Sequence, residues 1–73
     1  MNSQEIGQII RNTRKQLGLN QADLALSAGT ATRFISDLEN GKTSCQLEKT
    51  LSVLAALGLN ISIEPNSQAA NHE

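Results

Sequence analysis

Four side chains between Thr32 and Asp37 combine type and spacing in a way no core requires. In the string "TRFISDLE", Ile35 and Leu38 sit three apart and take the inward side of a helix. Thr32, Arg33, Ser36 and Asp37 then carry hydroxyl, guanidinium and carboxylate groups on the outward side. Catalysis is not indicated, because the chain shows no nucleophile–base pair, metal-ligand cluster or phosphate-cradling glycine loop. Cys45 is the single cysteine and His72 the single histidine. Neither belongs to a disulfide framework or zinc pattern, so no cofactor or metal is expected. A binding face remains.

The elements that must hold this face are short. Residues 3–17 read as a helix, with Ile6, Ile9, Ile10, Thr13 and Leu17 recurring at steps of three and four. Asn2 or Ser3 caps its start, with Glu5 placed for a capping box if Asn2 is the cap, and Gly18 stops it. Asn20 opens a second helix with Asp23 three residues on, another capping-box pattern. Leu24 and Ala28 form its inner face, and Gly29 lets the chain reverse sharply. A third helix covers about 31–39 and ends at Asn40-Gly41. A fourth covers 45–57, with Leu47, Leu51, Leu54 and Leu57 inside and Thr43 with Gln46, or Ser44, as cap. Beyond Gly58 the period changes to two. Leu59, Ile61 and Ile63 alternate with Asn60, Ser62 and Glu64, the pattern of a half-buried strand ended by Pro65.

One strand lacks a partner within the chain, and an isolated strand is not stable in water. The simplest solution is the same strand of a second copy across a two-fold axis; an extended tail lying on the helices is the alternative. Length points the same way, since 73 residues allow one small core that gains from a partner subunit. The reading is one domain over 1–64, with a dimerisation strand at about 59–64 and a polar tail over 65–73. The net charge is −1. Glu64 and Glu73 lie past the last apolar element, so residues 1–63 hold six Lys/Arg against five Asp/Glu. That balance permits nucleic acid without demanding it. No apolar run approaches the ~18 residues of a membrane span, and no signal-peptide pattern is present, so no membrane association and a cytoplasmic location are expected.

The string "LGLNQADLA" followed by "ISDLENGKT" resembles the helix-turn-helix of the Cro and phage-repressor (Xre) family, over residues 5–58. Ala25 allows a close helix crossing, Gly29 makes the turn, and Ile35 and Leu38 anchor the second helix. The resemblance implies an all-α, lambda-repressor-like bundle of four to five helices, here with a short C-terminal β-strand pairing across a dimer. It implies double-stranded DNA as ligand, with the third helix in the major groove. Ala31, Thr32, Arg33, Ser36 and Asp37 then become candidates for base reading. Arg33 can pair with guanine O6 and N7; Asp37 can accept from cytosine N4 or orient Arg33, four residues earlier. Gln21, Asn40 and Lys42 become candidate phosphate ligands. Ala31 departs from the Ser or Thr common at the start of the reading helix, so Thr30 or Thr32 is expected to cap instead. Phe34, the single aromatic, is expected to pack rather than read. The resemblance also implies a largely buried ion pair between Arg14 and Glu39.

The segment "ALGLNISIEP" is similar to the HipB-like (Y4mF-type) antitoxins, whose paired strands join two subunits. This implies dimerisation through Leu59, Ile61 and Ile63, repression of the protein's own operon at a palindromic operator, and a HipA-type serine/threonine kinase toxin as partner. A stand-alone regulator and an interaction module without DNA binding are the competing readings.

Overall fold

A computed structural model describes residues 2–42 and 46–62. Four helices follow in order: α1 (Ser3–Gln16), α2 (Gln21–Ala28), α3 (Thr32–Glu39) and α4 (Leu47–Ala56). The described residues contain helices and no strand. Thr43, Ser44 and Cys45, the tail over 65–73, and the expectations placed on Ile63 and Glu64 lie outside the described residues.

Local chemistry sets the helix starts. Asn2 Oδ1 accepts from the Glu5 amide at 2.9 Å and begins α1. At α2 the capping box is complete: Asn20 Oδ1 accepts from the Asp23 amide at 2.7 Å, and Asp23 Oδ2 accepts from the Asn20 amide at 3.1 Å. Helix ends share one device, a glycine with φ between 71° and 78° after each helix. At α4 it decides the path of the chain. Gly58 donates to the Ala55 carbonyl at 3.0 Å, and Leu59 donates to the Leu54 carbonyl at 2.8 Å. This is a Schellman cap, which needs the left-handed conformation that glycine adopts without strain.

The core consists of Ile10, Leu24, Ala25, Ile35, Leu38, Val53, Leu54 and Leu57. α3 packs on α1 and α2, and α4 packs on α2. Two expected faces shift. α1 buries Gly7, Ile10 and Arg14, leaving Ile9 and Leu17 exposed. The reason is Gly7. A Cβ there would overlap the Leu38 carbonyl oxygen and lie 2.8 Å from that of Glu39, so only glycine lets α1 approach the end of α3. The turn that meets α3 is therefore centred on residues 7, 10 and 14, and Ile9 falls to its side. In α4 the later turns carry the packing, through Val53, Leu54 and Leu57. Leu47 and Leu51, on the earlier turns, stay exposed.

The expected strand also changes at its start. Leu59 packs against the core of its own chain. Its amide is committed to the α4 cap, so Leu59 cannot donate to a ladder.

Candidate nucleic-acid interface

The outward face of α3 depends on what lies behind it. Ile35 and Leu38 are buried in the core, and Glu39 is buried beneath the last turn. Arg14 Nε donates to Glu39 Oε2 at 2.6 Å, and Arg14 Nη2 donates to Glu39 Oε1 at 3.1 Å. The guanidinium fork thus meets the carboxylate with two parallel bonds, the strong geometry for such a pair. Arg14 Nη1 also donates to the Leu19 carbonyl at 2.8 Å, tying the α1–α2 turn to the same group. Burial alone would push the Glu39 carboxyl up. Hydrogen bonds from Arg14 and Gln21, with the charges of Arg14 and Arg11, outweigh that and hold it below the usual carboxylate range. The same bond to Glu39 raises the Arg14 pKa against burial.

Gln21 joins this network. Its Nε2 donates to Glu39 Oε1 at 3.1 Å, so the first residue of α2 is fastened to the last residue of α3. A candidate phosphate ligand is thereby a strut as well. No sequence signal announces that bond, because the partners are 18 residues apart on different helices.

On the outer face, Ala31, Thr32 and Arg33 are exposed, and Ser36 and Asp37 half-buried. Arg33 forms no hydrogen bond or ion pair among the described residues. Among the described residues Asp37 forms no ion pair with Arg33; its Oδ1 lies 3.4 Å from Lys42 Nζ, the ion pair at this end of the face. Lys42 is exposed and Asp37 partly so, with side-chain accessibilities of 64% and 38%. Such a pair is worth about 0–1 kcal/mol and exchanges readily for a better ligand. The Lys42 amide meanwhile donates to the Asp37 carbonyl at 3.0 Å and closes the α3 cap. Asn40, the C-cap residue of α3, presents its side chain to solvent.

The start of α3 corrects the expected cap. Ala31 is the N-cap, in extended conformation with no side-chain hydrogen bond. Thr30 Oγ1 is buried and has no partner among the described residues, so Thr30 does not cap the helix. The helix therefore opens without a side-chain ligand on its first amides, which stay available at the exposed tip. Phe34 packs half-buried against the core, and Lys49 of α4 places its ammonium 5.9 Å from the ring centroid. That is within range of a cation–π contact.

The order of helices, the tight α2–α3 turn and the anchored third helix are those of a two-helix reading unit. The helix-turn-helix family model matches residues 10–63. The chain belongs to the helix-turn-helix family. This helix-turn-helix protein is 48% identical to the HTH-type transcriptional regulator y4mF of Sinorhizobium fredii over 59 residues, 81% of this chain and 78% of that one. It is 42% identical to an HTH-type transcriptional regulator of Haemophilus influenzae over 53 residues, 73% of this chain and 54% of that one. A more distant relative is the ImmF control region 10 kDa protein of Bacillus phage phi105, 29% identical over 63 residues, 84% of this chain and 70% of that one. Among the described residues no helix is long and apolar enough to cross a membrane, and no cluster of His, Cys, Asp or Glu could hold a metal ion.

Proposed function

We propose that this helix-turn-helix protein is a transcriptional regulator that binds double-stranded DNA through α3. The observation that carries the reading is the division of α3 into two sides. Ile35, Leu38 and Glu39 are locked inward, while Thr32 and Arg33 stand exposed with the Arg33 guanidinium uncommitted among the described residues. A rigid helix with a free fork at its tip suits a major groove, where guanine offers O6 and N7 to such a fork. Ala31, Ser36 and Asp37 flank that fork, and Asn40 and Lys42, at the end of α3, suit phosphates bordering the groove. The first-turn amides of α2 at Gln21 suit a phosphate on the other side. Kinship with proteins named transcriptional regulators supports the same reading.

The test is selection from random duplexes with the whole chain. Enrichment of an inverted repeat, with half-sites about one helical turn apart, is expected for a two-fold dimer. Binding should weaken steeply with salt as counterions are released. No enrichment and no salt-dependent binding would leave an interaction module that has kept the fold.

The finer reading is a homodimeric repressor acting as the antitoxin of a HipA-type kinase system and autoregulating its operon. Its support is the segment "ALGLNISIEP" and kinship with y4mF. An apolar hollow lined by Ile6, Ile9, Leu54, Leu59, Asn60 and Ile61 supports the dimer. Ile9 and Ile61 are 41% and 52% exposed there, which a second copy would relieve. Since Leu59 is held by its own chain, the pairing strand begins at Asn60. Replacing Ser62 by Pro or Ile61 by Glu should weaken the dimer in sedimentation. A wild type that is monomeric at micromolar concentration would reject the dimer. Co-purification with a kinase encoded next to this gene would support the antitoxin role, and a neighbouring gene of another kind would leave a stand-alone regulator.

A further inference from the structure

A shallow polar groove runs between α1 and the end of α3, lined by Gln4, Gln8, Arg11, Glu39 and Asn40. Its α1 wall follows from spacing, because residues 4, 8 and 11 advance by four and three and share one face. Gln4, Gln8, Arg11 and Asn40 are all exposed. Arg11 forms no hydrogen bond or ion pair among the described residues, and α1 does not bury it.

Two features would repel an anion from this groove: the negative end of the α3 dipole and the Glu39 carboxylate. Both are met. Arg14 neutralises Glu39 with two hydrogen bonds, and Gln21 takes a third position on the same carboxylate. The charge left over is that of Arg11, which already acts on Glu39 through space. Around it stand three side-chain amides that can donate. A surplus cation ringed by neutral donors, on a surface continuous with the C-cap of the reading helix, is the chemistry of a backbone phosphate site.

We propose that Arg11, with Gln8 and Asn40, forms a second phosphate clamp on the flank of α1, gripping the same duplex whose major groove α3 enters. The clamp rests on the DNA-binding reading above. It gives the short interface a contact on a third helix, beside α2 and α3, and fixes the angle at which α3 meets the groove. Its ligand is a phosphodiester of duplex DNA and carries no base information.

The test uses the full chain in fluorescence-anisotropy titrations across a salt series. The probes are a duplex enriched by selection and a mixed-sequence 30-bp duplex. Arg11→Gln should lower affinity on both duplexes by the same factor and reduce the salt slope by about one unit per subunit. Arg11→Lys should restore the slope, since charge rather than a guanidinium fork is required. Gln8→Glu should weaken binding to both duplexes, whereas Ser52→Glu, an equal change of charge on exposed α4, should have much the smaller effect. Circular dichroism melts identify any variant that has lost its fold; Arg11→Lys and Gln8→Glu then still decide the matter. An unchanged slope and affinity for Arg11→Gln, with wild type binding normally, would overturn the clamp and leave the reading of α3 intact. Failure of the wild type on every duplex would instead overturn DNA binding itself.

Discussion

Arg14 and Glu39, 25 residues apart, hold each other through two hydrogen bonds that join α1 to the last turn of α3. Side-chain accessibility there is 10% for Arg14 and 4% for Glu39, so water cannot replace either partner. Removing one half of a buried pair strands the other, at a cost of about 3–5 kcal/mol. The total stability of a domain this small is of the same order. Arg14→Ala should therefore leave the chain largely unfolded at 37 °C, or shift its denaturant midpoint far down. A midpoint shift worth less than ~0.5 kcal/mol would mean the pair is solvated.

The same pair predicts a pH dependence. The folded-state pKa of Glu39 lies below its ordinary value. A depressed carboxylate contributes stability that is fully present above its unfolded pKa and is lost as pH falls through the folded one. Wild type should therefore lose stability progressively below about pH 4.5, near the ordinary glutamate value. Glu39→Gln should be less stable at pH 7 and should show a shallower acid limb, because this group no longer titrates. Parallel acid limbs for the two proteins in urea melts would remove Glu39 as the source.

How much of this was legible depends on the range of each interaction. The Asn20–Asp23 capping box lies within four residues, and the sequence displays both partners. Alternation over Leu59, Ile61 and Ile63 suggested a strand beginning at Leu59, yet Leu59 belongs to the α4 cap. The left-handed turn at Gly58 carries its amide back to Leu54. A period-two pattern cannot reveal that its first member is spoken for. The Arg14–Glu39 pair, 25 residues apart, is implied by the family resemblance and not by spacing. Gln21 donating to Glu39, and Thr30 burying a hydroxyl with no partner among the described residues, depend on how helices cross and have no local signature.

Gly7 had no signature either, and it carries a prediction in which two effects oppose. Alanine is favoured over glycine inside a helix by about 1 kcal/mol. Here its Cβ would collide with main-chain oxygens of Leu38 and Glu39, which cannot rotate away as a side chain would. Overpacking of this kind costs about 1–3 kcal/mol or more. Gly7→Ala should thus destabilise, and it should disturb the Arg14–Glu39 contact by pushing α1 from α3. Gln8→Ala, exposed on the same helix, should be neutral or slightly stabilising. Greater stability for Gly7→Ala in thermal melts would mean the two helices sit farther apart.

The last prediction separates reading from gripping on the outer face. Arg33 is exposed and uncommitted among the described residues, while Lys42 shares its charge with Asp37 at 3.4 Å. Arg33→Ala should cost about 1–3 kcal/mol on the selected operator and relax preference at one base per half-site. Lys42→Ala should lower affinity on selected and scrambled duplexes alike and reduce the salt slope by about one unit per subunit. Asp37→Asn distinguishes the two roles open to that carboxylate. If Asp37 only holds Lys42, its removal frees a cation and lifts a repulsive charge, so affinity should rise on both duplexes. If it accepts from cytosine, affinity should fall on the operator alone. Gln21→Ala should lower affinity with little change in salt slope, since glutamine is neutral. It should also reduce stability modestly, because Glu39 loses a donor. Equal loss on both duplexes for Arg33→Ala would make Arg33 a phosphate ligand and transfer the readout to Thr32, Ser36 and Asp37.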